Sequence, residues 1–202
     1  MTADSLFEQL KHPNPNLRER AIVALAESYD DQTIARLMAN LSEEDVVYRR
    51  ASVKALGYIG EASVPSLVNR LQSSESPTER ASCTKALTQV AVRHPGEPFS
   101  EEGLKALQQA LEDPAPVVNI SAVMALGQVG EPALDILIST LKTTENIAVS
   151  VAILNALGSI DNDKTIAVLT EFSQDVDADS YLRESATSAL SRLDLVKQYS
   201  KN

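Results

Sequence analysis

A chain of 202 residues, 44% hydrophobic and rich in alanine and leucine but without tryptophan, is long enough for one continuous core of closely packed helices. Its net charge of −10 argues against nucleic acid, whose binding depends on basic residues that displace counterions. No basic leader precedes an apolar run and nowhere do eighteen apolar residues stand together, so no membrane insertion and a cytoplasmic location are expected, and the single Cys83 excludes an internal disulfide.

In chain order, DSLFEQL reads as a short striped helix, separated by the HPNPN turn at 12–16 from a second helix carrying Ala24 and Leu25; this pair, through Tyr29, is expected to cap the amino-terminal end. QTIARLMANL follows, then EEDVVYRRASVKALGYIGE at 43–61, with Ser42 expected to begin the turn and to cap, Asp45 standing at capping-box spacing. SVPSLVNRL and the helix ending at Ala86-Leu87 form the third pair. Cys83 there stands four residues before Leu87, where other units have Ala21, Ala122 and Ala186, so a small buried thiol is expected rather than a reactive one. VRHPGEPFSEE then adds eight residues, read as a surface insertion or as a lip beside a binding surface.

EGLKALQQAL, PALDILISTL and KTIAVLTEF open the fourth, fifth and sixth pairs. Before the last helix, Asp175, Asp177 and Asp179 alternate as in a calcium loop, but Ser180 stands where that loop needs glycine and Ala186 where it needs glutamate; Asp179 or Ser180 is expected to cap instead. In the tail LDLVKQYSKN, Leu195 and Val196 are expected to cover the last core layer. His12 and His94 precede prolines in turns, with no second histidine or cysteine at ligand spacing, so no metal site is expected, and no phosphate loop or nucleophile elbow is present.

The leucines of six Ala-Leu pairs, Leu25, Leu56, Leu87, Leu126, Leu157 and Leu190, lie 31, 31, 39, 31 and 33 residues apart. Self-similar helix pairs at this period, without strand signals, predict an all-α fold, an α-solenoid of about six helix pairs. The units run over about 1–31, 32–62, 63–100, 101–131, 132–162 and 163–202 of a single domain. At 100° per residue, positions three and four before each leucine and three after it face the core, whereas positions six before, two before and two after point away, onto the concave face that solenoids use for partners. These outward positions hold Arg50, Lys54 and Tyr58 in the second unit and Ala81, Lys85 and Gln89 in the third. They hold Ile120, Met124 and Gln128 in the fourth and Val151, Asn155 and Ser159 in the fifth. Ile120, Met124 and Val151 are expected to form an apolar patch beside a basic step of Arg50, Lys54 and Lys85. Tyr48, Arg50 and Tyr58 recur least along the chain and are further candidates for partner binding. Arg18, Arg49, Arg80 and Arg183, each seven before the leucine, repeat too regularly for that and are expected to bond loop carboxylates and carbonyls between units. Charge is uneven: residues 1–100 carry 11 basic against 13 acidic side chains, and 101–202 carry 7 against 15. The acidic half reads as a solvated surface.

NPNLRERAIVALA, EDVVYRRASVKALGYIGE, DPAPVVNISAVMALGQVGEPAL and SYLRESATSALSRL resemble the short HEAT-like repeat; the third unit lacks its glycine and the fifth its arginine. More narrowly, LFEQLKHPNPNLRERA, EEDVVYRRASVKALGYIGE and AVMALGQVGEPALDILI look like the cyanobacterial HEAT-repeat family of phycobilin lyase subunits and the chaperone-like protein associated with phycoerythrin maturation, and closer to the chaperone-like branch. That resemblance implies a role in attaching open-chain tetrapyrroles to cysteines of phycobiliprotein subunits, or in holding those subunits meanwhile. Phycobiliprotein subunits and a second HEAT-repeat lyase subunit are the implied partners, with a phycobilin held in passing and no tightly bound cofactor. No catalytic residue is carried over. The apolar patch is expected to meet bilin or a client helix, and the basic step propionates or client carboxylates. The alternative is a non-enzymatic assembly scaffold, such as a partner of an A-type iron-sulfur scaffold protein. The single thiol means that the partner would have to ligate any cluster.

Overall fold

The computed structural model of the chain describes residues 2–95 and 97–199, with side chains through 195. Six helix pairs follow one another, and no strand occurs among the described residues. The first helices are α1 (Ala3–Gln9), α3 (Asp31–Ala39), α5 (Val64–Ser73), α7 (Glu101–Ala110), α9 (Leu134–Thr143) and α11 (Asp163–Gln174). The second helices are α2 (Pro15–Glu27), α4 (Val46–Ile59), α6 (Pro77–Arg93), α8 (Pro116–Val129), α10 (Ile147–Leu157) and α12 (Ser180–Tyr199). None of the described helices is long and apolar enough to cross a membrane.

Most second helices start where the sequence supplies a cap; α8 instead starts at Pro116 behind Ala115, with no side-chain cap bond. Asn14 accepts from the Asn16 amide ahead of Pro15, and Asp179 accepts from Tyr181 at 2.8 Å, as its place before the last helix predicts. The Ser42 expectation is corrected. Its hydroxyl donates back to the Ala39 carbonyl, and Asp45, three residues on, accepts from the amides of Val47 and Tyr48. A carboxylate one residue before the helix reaches both orphan amides, which a serine in the preceding turn cannot.

Leu25, Leu56, Leu87, Leu126 and Leu157 are fully buried, one per layer, each worth about 1.5–3 kcal/mol of burial. Leu190, in the last described helix, is only half-buried. The last layer is closed by Leu193, not Leu195, which is 52% exposed; Val196 lies outside the described side chains. Ala186, Ala189 and Leu193 form the inward stripe of α12, and two residues beyond Leu193 the helix has turned about 200° away.

Successive second helices pack closely along the stack, whereas successive first helices touch sparsely, so the second helices line the inner, concave side. The glycine after the Ala-Leu pair permits this approach. A Cβ on Gly127 would stand 2.9 Å from the Ala156 Cβ, one on Gly158 2.9 Å from the Ala189 Cβ, and one on Gly57 only 2.1 Å from the Gln89 Cβ. Gly60 and Gly130, both at φ near +79°, then turn the chain sharply into the next unit (φ 79° and 78°).

The repeated arginines are structural, but most of their bonds stay within a unit. Arg18 donates to the His12 and Pro13 carbonyls at 2.6 and 2.9 Å, Arg49 to the Glu43 carbonyl, and Arg183 to the Val176 and Ala178 carbonyls at 2.9 and 2.7 Å. Arg80 alone of the four reaches across, gripping Asp113 of the next unit through Nε at 2.6 Å and Nη2 at 2.9 Å while donating to the Ser74 carbonyl. In the fourth unit Asn119 takes the arginine's place and donates to the Asp113 carbonyl at 3.1 Å.

Candidate functional site

The concave face is charged over α2, α4 and α6, uncharged over α8 and α10, and charged again on α12, where Glu184 and Arg192 are exposed. On α2, α4 and α6 the charges are mostly paired. Glu19 accepts from Lys54 Nζ and from the Tyr58 hydroxyl, both at 2.5 Å, and the Arg93 guanidinium lies 4.1 Å from the Tyr58 ring centre. Burial pushes the Glu19 carboxyl up, but the bonds from Lys54 and Tyr58, with the charges of Lys54 and Arg93, outweigh it and hold the group below the usual glutamate range. The same bond to Glu19, aided by burial, raises the Tyr58 phenol. Lys54 is therefore a tied cation, and Tyr58 is half-buried against the core.

The remaining cations of the basic step behave differently. Arg50 and Lys85 are exposed and enter none of the ion pairs found among the described residues. Tyr48 is placed elsewhere: it is 6% exposed, packed in the core with the Lys11 ammonium 4.7 Å from its ring centre. Ala81, expected to point outward, is buried, because the neighbouring helices close over a residue that small.

The uncharged half is made by α8 and α10, PVVNISAVMALGQV and IAVSVAILNAL, neither of which contains a charged residue. Met124 is 61% exposed at its centre, while Ile120 and Val151 are half-buried flanks rather than a fully open patch. Val117 and Ile147, 48% and 49% exposed, extend the strip to the first turns of the two helices. Between the helices runs a groove of about 280 Å³ lined by Met124, Gly127, Gln128, Ala152, Asn155 and Ser159. Asn155 Oδ1 accepts from Arg192 of the last unit at 2.9 Å. The outward-facing positions found Met124, Gln128, Asn155 and Ser159; Gly127 and Ala152 were missed, since small residues carry no polarity signal, yet their smallness is what opens the groove.

The insertion after α6 forms a second hollow. His94, Pro98 and Phe99 face Val129 and Pro132 around a cavity of about 250 Å³, and Gln128 lines both this cavity and the groove. The loop thus stands as a lip at one end of the concave strip, its His94 ring packed against Gly60. Cys83 is fully buried, and that burial, with the charge of Glu79, pushes its thiol up to about 12, so it offers neither nucleophile nor metal ligand. No group of three His, Cys, Asp or Glu able to hold a metal gathers among the described residues.

The family model for HEAT repeats matches residues 3–88 and 101–191, leaving out the inserted loop. Phycocyanin operon protein Z of Pseudanabaena tenuis (strain PCC 7409) is 51% identical over 202 residues, all of both chains. Bilin biosynthesis protein CpeZ of Synechococcus sp. (strain WH8020) is 32% identical over 178 residues, 85% of this chain and 95% of that one. Among solved structures, the complex of CpcE and CpcF of phycocyanin lyase from Nostoc sp. PCC7120 superposes with TM-score 0.51 at 18% identity, covering 76% of this chain and 96% of that one. An engineered protein reaches the same TM-score over 96% of this chain and 98% of its own. At such identities these two structures speak for the solenoid fold alone.

Proposed function

We propose a function from the premise that this chain belongs to the HEAT-repeat family and, within it, to the cyanobacterial phycobilin lyase and phycobiliprotein chaperone-like group. The chain is a binding solenoid that assists bilin attachment to phycobiliprotein subunits. The observation that carries this reading is the concave face itself: an uncharged, partly apolar strip over α8 and α10 set beside the exposed cations Arg50 and Lys85. A strip of that kind suits a largely apolar body that carries acid groups at one side.

The chemistry asked of such a surface is orientation. The client supplies the thiolate, and the solenoid holds bilin and client within reach of each other, which can lower a bimolecular barrier without any acid or base on the chain. The buried Cys83 and the Glu19 carboxylate, already committed to Lys54 and Tyr58, fit no catalytic role.

The test is co-expression with tagged apo-phycobiliprotein subunits and a bilin source, with and without a second HEAT-repeat subunit, followed by pulldown and covalent-bilin fluorescence on a denaturing gel. A band that depends on this chain establishes a lyase role, and client capture without the band a holding role. Neither band nor capture returns the chain to a general assembly scaffold. Met124→Glu, which puts a charge into the strip, is expected to cut the band or the captured client at least fivefold.

A further inference from the structure

We infer that the groove between α8 and α10 seats one end of a linear tetrapyrrole, its terminal lactam against the carboxamides of Gln128 and Asn155 and its propionates directed to Lys85 and Arg50. This rests on the bilin reading above and deepens it to a subsite.

The floor of the groove suits a flat body. Gly127 and Ala156 approach so closely that a Cβ on the glycine would stand 2.9 Å from that of the alanine, so the floor is backbone and methyl groups, without a projecting side chain. Its volume of about 280 Å³ takes part of a tetrapyrrole and leaves the rest over the neighbouring helix. A peptide helix, about 10 Å across, bridges a slot of that size rather than filling it.

The rim supplies what a terminal ring needs. A lactam presents a carbonyl acceptor beside an N–H donor, and the exposed Gln128 carboxamide offers the complementary pair. Asn155 has its oxygen engaged by Arg192 at 2.9 Å, which leaves its NH₂ to donate. Neither α8 nor α10 carries a charge, and the Arg192 guanidinium at the rim is turned to the Asn155 oxygen, so the floor offers a neutral ring no buried ion.

The acid groups then find their partners one helix away. Lys85 on α6 occupies the position that Met124 occupies on α8, two before the Ala-Leu leucine of each unit, and packed helices are about 10 Å apart. Arg50 lies a further helix along, and Lys54, already paired with Glu19, is the cation of the step that is not free. A tetrapyrrole bears its propionates on the middle rings, so an end ring in the groove sends both carboxylates toward α6.

The experiment uses the purified full chain with biliverdin and with its dimethyl ester, read by induced circular dichroism in the visible band, alongside client pulldown on the same proteins. Biliverdin is expected to give an induced signal, and the ester to bind about tenfold more weakly. Lys85→Glu should weaken the free acid about tenfold and leave the ester unchanged; Met124→Glu should abolish both signals; Lys105→Glu, exposed on α7, should change neither. Far-ultraviolet dichroism verifies the fold of each variant, and the acid-ester comparison is made on the unaltered chain.

Absence of an induced signal on the unaltered chain overturns the subsite, as does equal binding of acid and ester, or an undiminished signal in folded Met124→Glu. Client captured without any biliverdin signal removes the groove assignment and leaves the maturation role standing. The expected biliverdin pattern without client capture does the reverse.

Discussion

At the scale of single residues, the Arg80–Asp113 pair joins the third unit to the fourth across the insertion. Its side chains are only 14% and 10% exposed, and the two parallel bonds are charge-assisted. Asp113→Asn removes the charge but keeps the shape, and should cost about 2 kcal/mol, lowering the thermal midpoint by roughly 4–8 °C. Burial pushes the Asp113 carboxyl up, yet the bonds from Arg80 and the Ala115 amide outweigh it, so the folded value lies below the ordinary 3.8. The contribution is thus complete above pH 3.8 and is lost as pH falls through the lower folded value, because the unfolded chain takes up the proton first. Urea midpoints of both proteins between pH 7 and 3 should therefore converge on the acid side; a constant difference would remove the carboxylate from the account. The repeated arginines made a structural role readable, but not the partner. Nothing in the local sequence tells Arg80 to reach 33 residues ahead while its three counterparts stay with their own turns.

For the helices, the glycine after the Ala-Leu pair of the second, fourth and fifth units sets how close neighbours come. Gly57→Ala places a methyl carbon where the Gln89 Cβ stands, forcing α4 and α6 apart, and is expected to cost about 1–3 kcal/mol even after the roughly 1 kcal/mol that alanine gains as a helix former. Gly127→Ala meets the Ala156 Cβ at 2.9 Å, a methyl with no rotamer to swing away, and should cost less than Gly57→Ala, about 0–1 kcal/mol net of the helix-former gain. Equal urea midpoints for the two variants would show that the glycines answer to something other than this approach. The helices and their repeat were legible because leucine and alanine recur on one stripe of every unit. The second-helix faces were legible in outline, and α8 and α10 stood out by lacking charge. What the stripe could not fix was depth: Tyr48 sits near a helix start, where the chain's path into the helix buries it, and Ile120 and Val151 are half-covered by neighbours whose spacing only packing decides.

In the whole molecule, each unit touches only its neighbours, so stability is greatest where a unit is flanked on both sides. Native-state hydrogen exchange should find amides of α4, α6 and α8 at least tenfold better protected than those of α1 and α11; uniform protection would mark the chain as one all-or-none block. Charge is distributed by layer as well as by half. Of the 15 acidic residues in 101–202, only Glu184 and Asp194 stand on second helices, and the others lie on first helices and loops. The uncharged strip is therefore recessed inside an acidic exterior, and that arrangement acts as a sieve. A second copy that brings its own acidic carboxy-terminal flank meets like charge at range, so any self-pairing through the strip should strengthen as added salt screens that repulsion. A slender body, or a narrow projection of a larger one, meets less of the acidic rim on its way in, so shape and charge act together before any bond is made.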